Sequence, residues 1–161
     1  MKKRLASILL AVAFSIAAIA CQPASTELSE EQKAALADSV TQLSAEMQRA
    51  FDNRDAAYFD YFSDWTTSSA AGSRAHEQNR SALLENNWPN NTQTSQSGQT
   101  RTLVLGPDAV VVERAQVNIV TGSTGETREY DVFLSELWVR EDTGWKALLY
   151  RFTNLGVREP S

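Results

Sequence analysis

The chain has 161 residues, of which 42% are hydrophobic and 22% charged, and its formal net charge is −5 at neutral pH. It contains one Cys and one His, which excludes a Cys/His zinc site, a CxxC redox pair and a disulfide framework. The composition is typical of a globular protein, and the length predicts one domain after removal of a leader.

Residues 1–20 have the pattern of an export signal. Lys2, Lys3 and Arg4 precede an uncharged, mostly apolar run that ends in small residues at Ala20. The run is shorter than the roughly 20 residues that cross a bilayer as a helix. We therefore expect a signal peptide rather than a retained transmembrane anchor.

The end of this run, Ala18-Ile19-Ala20-Cys21, resembles the lipobox of bacterial lipoproteins, with Ala18 where the common pattern has Leu. The resemblance implies that Cys21 becomes the first mature residue and carries the lipid. Gln22 after the Cys implies sorting to the outer membrane, so we expect an envelope protein facing the periplasm. The alternative is an ordinary secretory signal with a chance Cys at its end.

Removal of the leader leaves the remaining chain more acidic, because residues 1–20 hold three cations and no acidic residue. An acidic domain without a basic cluster is repelled by phosphate backbones and by anionic headgroups. We expect no nucleic-acid partner, and membrane attachment through the lipid alone. Residues 21–28 form a short polar tether before the domain.

The domain begins with helices. Ser29 and Gln32 fit a capping box, and an apolar stripe at helical spacing follows: Leu36, Val40, Leu43, Met47 and Phe51. A second short helix is predicted over Asp55–Phe62 and a brief strand over Trp65–Ser69. A third helix is predicted from Ser73 to about Asn87, with Pro89 ending it.

From Arg101 onward the apolar period changes to two. Four strands are predicted over about 97–105, 109–121, 127–140 and 145–155, while the polar stretch 90–100 reads as a loop or a solvated strand end. Their short connections require antiparallel neighbours. The fold class is therefore α+β, with N-terminal helices on an antiparallel sheet.

This order of elements resembles the nuclear transport factor 2-like superfamily and its SnoaL-like branch. The residues that carry the resemblance are the junction at residues 51–55, the passage at residues 62–65 and the hairpin at residues 144–146. The resemblance covers residues 29–158 and implies a strongly bent sheet, a cone around the long helix with a pocket at its open end. It does not fix one activity, because the superfamily includes isomerases, cyclases, dehydratases and non-catalytic binders.

Turn lengths predict the strand register and so the residues that share a face. Arg101 is expected opposite Glu113, Glu113 opposite Ser135, and Ser135 opposite Tyr150. Because this face is the more apolar one, we expect it to pack on the helices and line the pocket. The other face is expected to meet solvent or a second subunit, and it holds Arg114, Gln116, Asn118, Glu136 and Arg151.

The row Arg101, Glu113, Ser135 and Tyr150 is the leading candidate site. These residues would form a polar ligand-binding site in an apolar cavity. Glu113 would act as a proton-transfer base, and Tyr150 would donate a hydrogen bond to an oxyanion. The alternative is a structural Arg101–Glu113 cross-strand pair, with Tyr150 as an ordinary core residue.

Three further residues complete the candidate pocket. Asp131 is either a carboxylate at the pocket mouth or a solvated side chain beside a turn. His76 is either a proton shuttle or an exposed residue at a helix start. Trp65 either stacks on a ligand or fills the core. No metal and no cofactor is predicted.

The sequence thus predicts a lipid-anchored envelope domain that binds a small apolar or amphipathic molecule without catalysis. One alternative is a SnoaL-type isomerase, cyclase or dehydratase that uses Glu113 or Asp131 for proton transfer. Another is a homodimeric interaction module.

Overall fold

The structure, a computed structural model, describes residues 27–68 and 80–158, without the side chains of residues 65–68. The predicted leader and Cys21, the first part of the third helix with His76, and the side chain of Trp65 lie outside what is described.

Helix α1 spans Glu30–Asp52, and its capping box is confirmed. The Ser29 hydroxyl accepts the Gln32 N–H at 3.2 Å, and the Gln32 side chain accepts the Ser29 N–H at 2.9 Å. Its buried face combines apolar and polar side chains, with Val40 and Met47 beside Ser44 and Gln48. In the described part of the chain, no helix is long and apolar enough to cross a membrane.

The segment after α1 turns back along the sheet. The predicted second helix is a 3₁₀ helix over Ala56–Tyr61, capped by the Asp55 carboxylate, and strand β1 follows over Phe62–Ser68. At the end of the predicted third helix there is a π-helical turn, Ala82–Asn87, and an α-helical turn, Trp88–Asn90.

Four long strands complete the sheet: β2 over Asn91–Gly106, β3 over Ala109–Gly122, β4 over Thr127–Glu141 and β5 over Gly144–Val157. The order is β1-β5-β4-β3-β2. The α+β class is confirmed, but the sheet is mixed, because β1 pairs with β5 in parallel. The stretch 91–100 belongs to β2, since its backbone pairs with β3 although its side chains are polar.

The predicted register is confirmed on three strands and wrong on the fourth. Arg101 pairs with Glu113, and Glu113 with Ser135. A bulge between Leu137 and Trp138 shifts β5 by one residue, so Ser135 pairs with Arg151. Tyr150 therefore lies opposite Glu136 and on the other side of the sheet.

The prediction of which face packs on α1 is also wrong. The buried inner face is the more polar one, and it carries Val110, Val112, Arg114, Gln116, Asn118, Val132, Leu134, Glu136 and Trp138. The outer face keeps large side chains such as Leu103, Phe133 and Leu149 exposed. Counting apolar residues failed because the polar groups of the inner face are buried together and bond to one another.

Candidate functional site

The site is a cluster of polar side chains between α1 and the inner face of the sheet, here called the inner polar cluster. Two members come from α1 and the others from β2, β3 and β4. They are Gln48, Asp52, Ser95, Arg114, Gln116, Asn118 and Glu136.

A buried ion pair forms one end of the cluster. Arg114 Nη2 lies 3.3 Å from Glu136 Oε1, and the two side chains are 5% and 1% exposed. Trp138 Nε1 donates to Glu136 Oε2 at 2.8 Å, and Arg114 Nη2 also donates to Gln48 Oε1 at 3.4 Å. Burial raises the pKa of Glu136, and the charge of Arg114 and the Trp138 hydrogen bond oppose that rise.

Asp52, in the last turn of α1, forms the other end. Its Oδ2 accepts the Ser95 backbone N–H at 3.0 Å, and its Oδ1 accepts the Ser95 hydroxyl at 2.9 Å. Gln48 Nε2 also donates to Oδ1, at 3.0 Å. Through Gln48 the carboxylate is linked to Arg114, so the two ends form one hydrogen-bonded chain.

Several polar atoms in this region have no protein partner within the described ranges. Among them are Arg114 Nε, Gln116 Oε1 and Trp88 Nε1, all buried. An unpaired buried donor or acceptor costs about 1–3 kcal/mol. Such atoms indicate places where a water molecule or a ligand completes the bonding.

Aromatic rings supply the apolar side of the site. The Tyr58 ring makes edge-on contacts with the rings of Phe51, Phe59 and Phe62, at centroid-to-centroid distances of 5.0–5.3 Å. The Tyr150 ring contacts Phe62 at 5.9 Å. Desolvation raises the pKa of Tyr150, and the Glu136 carboxylate raises it further, so this phenol stays protonated at neutral pH.

The structure separates the predicted site residues. Tyr150 lies on the inner face beside Glu136, whereas Arg101, Glu113 and Ser135 form a row on the outer face. Arg101 Nη1 and Glu113 Oε2 are 3.9 Å apart and are 73% and 35% exposed. With Leu103 and Val111 they line a hollow of about 90 Å³.

Asp131 also lies on the outer face, where its Oδ1 accepts Arg158 Nε at 3.0 Å and both side chains are about half exposed. The roles predicted for Trp65 and His76 remain predictions, because both side chains fall outside the described part.

Sequence reasoning missed the inner polar cluster, although a signal for it is present. In β3, three polar residues follow two valines on the same face: Val110, Val112, Arg114, Gln116 and Asn118. Such a change of polarity along one face of a strand marks a place where the sheet stops packing against apolar groups. In the described residues, no group of His, Cys, Asp and Glu could hold a metal ion.

Solved structures share the fold of this chain at low sequence identity. A hexachlorocyclohexane dehydrochlorinase of Novosphingobium barchaimii aligns with a TM-score of 0.68 at 14% identity, over 81% of this chain and 93% of that chain. ActVI-ORFA from Streptomyces coelicolor aligns with a TM-score of 0.58 at 13% identity, over 75% and 98%. The association domain of C. elegans CaMKII aligns with a TM-score of 0.62 at 14% identity, over 77% and 99%.

No protein-family model matches the chain, and no curated protein sequence does. At such low identities the structural likeness shows the fold alone. That fold is the nuclear transport factor 2-like, SnoaL-like one, as the sequence resemblance implied.

Proposed function

We propose that the chain is a lipid-anchored protein of the bacterial cell envelope that binds a small amphipathic molecule between α1 and the inner face, without catalysis. The observation that carries the binding proposal is the set of buried polar atoms left unpaired in the described residues at Arg114, Gln116 and Trp88. The aromatic rings around Tyr58 offer the apolar contact that small-molecule sites commonly have.

Binding is tested by native mass spectrometry of the full chain, expressed with its own leader and purified from membranes in mild detergent. We expect an adduct of a few hundred daltons that is lost when the same sample is sprayed under denaturing conditions. The denatured sample also reveals any covalent mass, and so separates a ligand from the lipid. A bare protein in the native spectrum would reject the binding proposal.

Anchoring rests on the sequence around Cys21. Intact mass and detergent-phase partitioning are compared for the wild type and Cys21→Ala, which removes the sole cysteine. We expect acyl mass and detergent partitioning in the wild type and neither in the variant. Separation of the two membranes on a density gradient then tests the outer-membrane assignment. A wild type without acyl mass would refute the anchor.

An enzyme that uses a carboxylate for proton transfer is the alternative function. Glu113 and Asp131 are poorer candidates for this role than Asp52, because each forms an ion pair on the outer face. Asp52 is half-buried, held by Ser95 and joined to the inner polar cluster. One structural neighbour is named a dehydrochlorinase, so this fold can carry an enzyme.

Turnover of the co-purified molecule, followed by liquid chromatography and mass spectrometry, tests this alternative. We expect Asp52→Asn to abolish turnover and the exposed control Asp108→Asn to retain it. No turnover by the wild type would reject the enzyme and leave a binding protein.

Self-association through the outer face is the remaining alternative, and the exposed leucines there favour it. Leu103, Val111, Leu137 and Leu149 form one row across four strands. Leu149→Lys should then shift a dimer toward monomer in sedimentation. The control Leu84→Lys changes a leucine of nearly equal exposure, 37% against 38%, in the π-helical turn. A monomeric wild type would exclude this function.

A further inference from the structure

The unpaired atoms on β3 specify what kind of group a ligand must present. Arg114 and Gln116 are two residues apart on the inner face, and each is 4% exposed. Their Cα atoms are therefore about 6.6 Å apart along the strand. The two side chains are thus next neighbours on the inner face of β3.

On β3, two buried side-chain atoms lack a partner within the described residues, one of them a donor and the other an acceptor. Arg114 Nη2 is occupied by Gln48 and Glu136, whereas its Nε has no partner in the described part of the chain. Gln116 Nε2 donates to Asn118 Oδ1 at 2.5 Å, and Gln116 Oε1 is left without a donor there. A matching group must accept from Arg114 and donate to Gln116.

The surrounding charge opposes an anion. Glu136 already balances Arg114 at 3.3 Å, and the Asp52 carboxylate is joined to the same cluster through Gln48. A further anion would bring an uncompensated negative charge into a buried site, which is costly. A carboxylate also lacks the proton that Gln116 Oε1 requires.

We propose that Arg114 Nε and Gln116 Oε1 together bind an uncharged group that both accepts and donates a hydrogen bond, a primary amide or a hydroxyl, on an otherwise apolar ligand. This inference rests on the proposed binding function and adds its ligand class. It assigns Arg114 and Gln116 as ligand contacts, and Glu136 as the residue that makes the site unfavourable to acids.

Four probes of similar size test the inference by saturation-transfer NMR on the full protein: benzamide, phenol, benzoate and toluene. We expect benzamide and phenol to bind about tenfold more tightly than benzoate or toluene. Gln116→Leu should weaken benzamide about tenfold and leave toluene unchanged. The control Gln96→Leu changes an exposed glutamine on β2 and should bind all four like the wild type.

The outcomes separate this inference from the binding function. Benzoate binding as tightly as benzamide, or Gln116→Leu retaining full benzamide affinity, overturns the ligand class and leaves the binding function standing. An ordered water alone between Arg114 and Gln116 in crystals soaked with benzamide overturns it in the same way. Failure of all four probes, with a bare native mass spectrum, overturns both proposals.

Discussion

Replacing Arg114 with Met should reduce the free energy of unfolding by about 3–5 kcal/mol, because it leaves the Glu136 carboxylate buried without its counter-charge. The two side chains are 5% and 1% exposed, so solvent offers almost no compensation. Glu136→Leu should reduce the free energy of unfolding by a similar amount. It leaves the Arg114 guanidinium without its counter-charge, and it leaves the Trp138 N–H, which donates at 2.8 Å, without its acceptor.

In the double variant Arg114→Met/Glu136→Leu, the loss in free energy of unfolding should be much smaller than the sum of the losses in the two single variants. Its remaining cost comes from Trp138 Nε1, now an unpaired buried donor, and is about 1–3 kcal/mol. Urea unfolding followed by circular dichroism, with the slopes compared for two-state behaviour, gives the coupling between the residues. We expect a coupling of at least about 2 kcal/mol.

The outer face supplies a matched control, Arg101 and Glu113. These are the same residue types on β2 and β3, 3.9 Å apart but 73% and 35% exposed. The cycle Arg101→Met/Glu113→Leu should give a coupling of about 1 kcal/mol or less. Equal couplings for the two pairs would show that water reaches the inner polar cluster, and the reasoning about its burial would be refuted.

Three other variants test separate parts of the structure. Gly98→Ala should destabilise the protein by about 1–3 kcal/mol in urea unfolding, because the new Cβ would lie 2.9 Å from the Ala115 carbonyl oxygen. Unchanged stability would contradict this close approach of Gly98 to β3. Ser29→Ala should cost about 1 kcal/mol by the same assay, through loss of the cap on the Gln32 N–H, and a neutral result would mean that the end of α1 frays. Because burial raises the pKa of Glu136 above 4.5, its stability contribution is complete below that pH and is lost as the pH rises through the folded-state pKa. Wild-type stability relative to Glu136→Gln should therefore fall from about pH 4.5 upward, and a difference that stays constant with pH would count against the raised pKa.

Much of the fold was predictable because short-range signals decide it. The capping box at Ser29 fixes the start of α1. The short turns fix the antiparallel pairing of each strand from β2 to β5 with the next one along the chain. The parallel pairing of β1 with β5 could not be deduced this way, since the two strands are far apart in sequence and no turn joins them.

The candidate site was harder to predict because one residue decides it. The bulge beside Trp138 moves Tyr150 from the outer face, where Glu113 lies, to the inner face beside Glu136. No turn residue in the sequence predicts this bulge. The choice of face failed for a different reason. Hydrophobicity treats Arg114 and Glu136 as two solvent-seeking residues, while the structure buries them as a pair.

The pairing of β1 with β5 also sets the order in which the protein can finish folding. Phe62 in β1 pairs with Ala147 in β5. Strand β1, near the beginning of the domain, therefore cannot pair until β5, near its end, is available. A chain that is threaded across a membrane with its N-terminus first cannot complete this sheet until its last strand has emerged. Truncation before Gly144 would leave β1 and β4 with unpaired edges that favour aggregation.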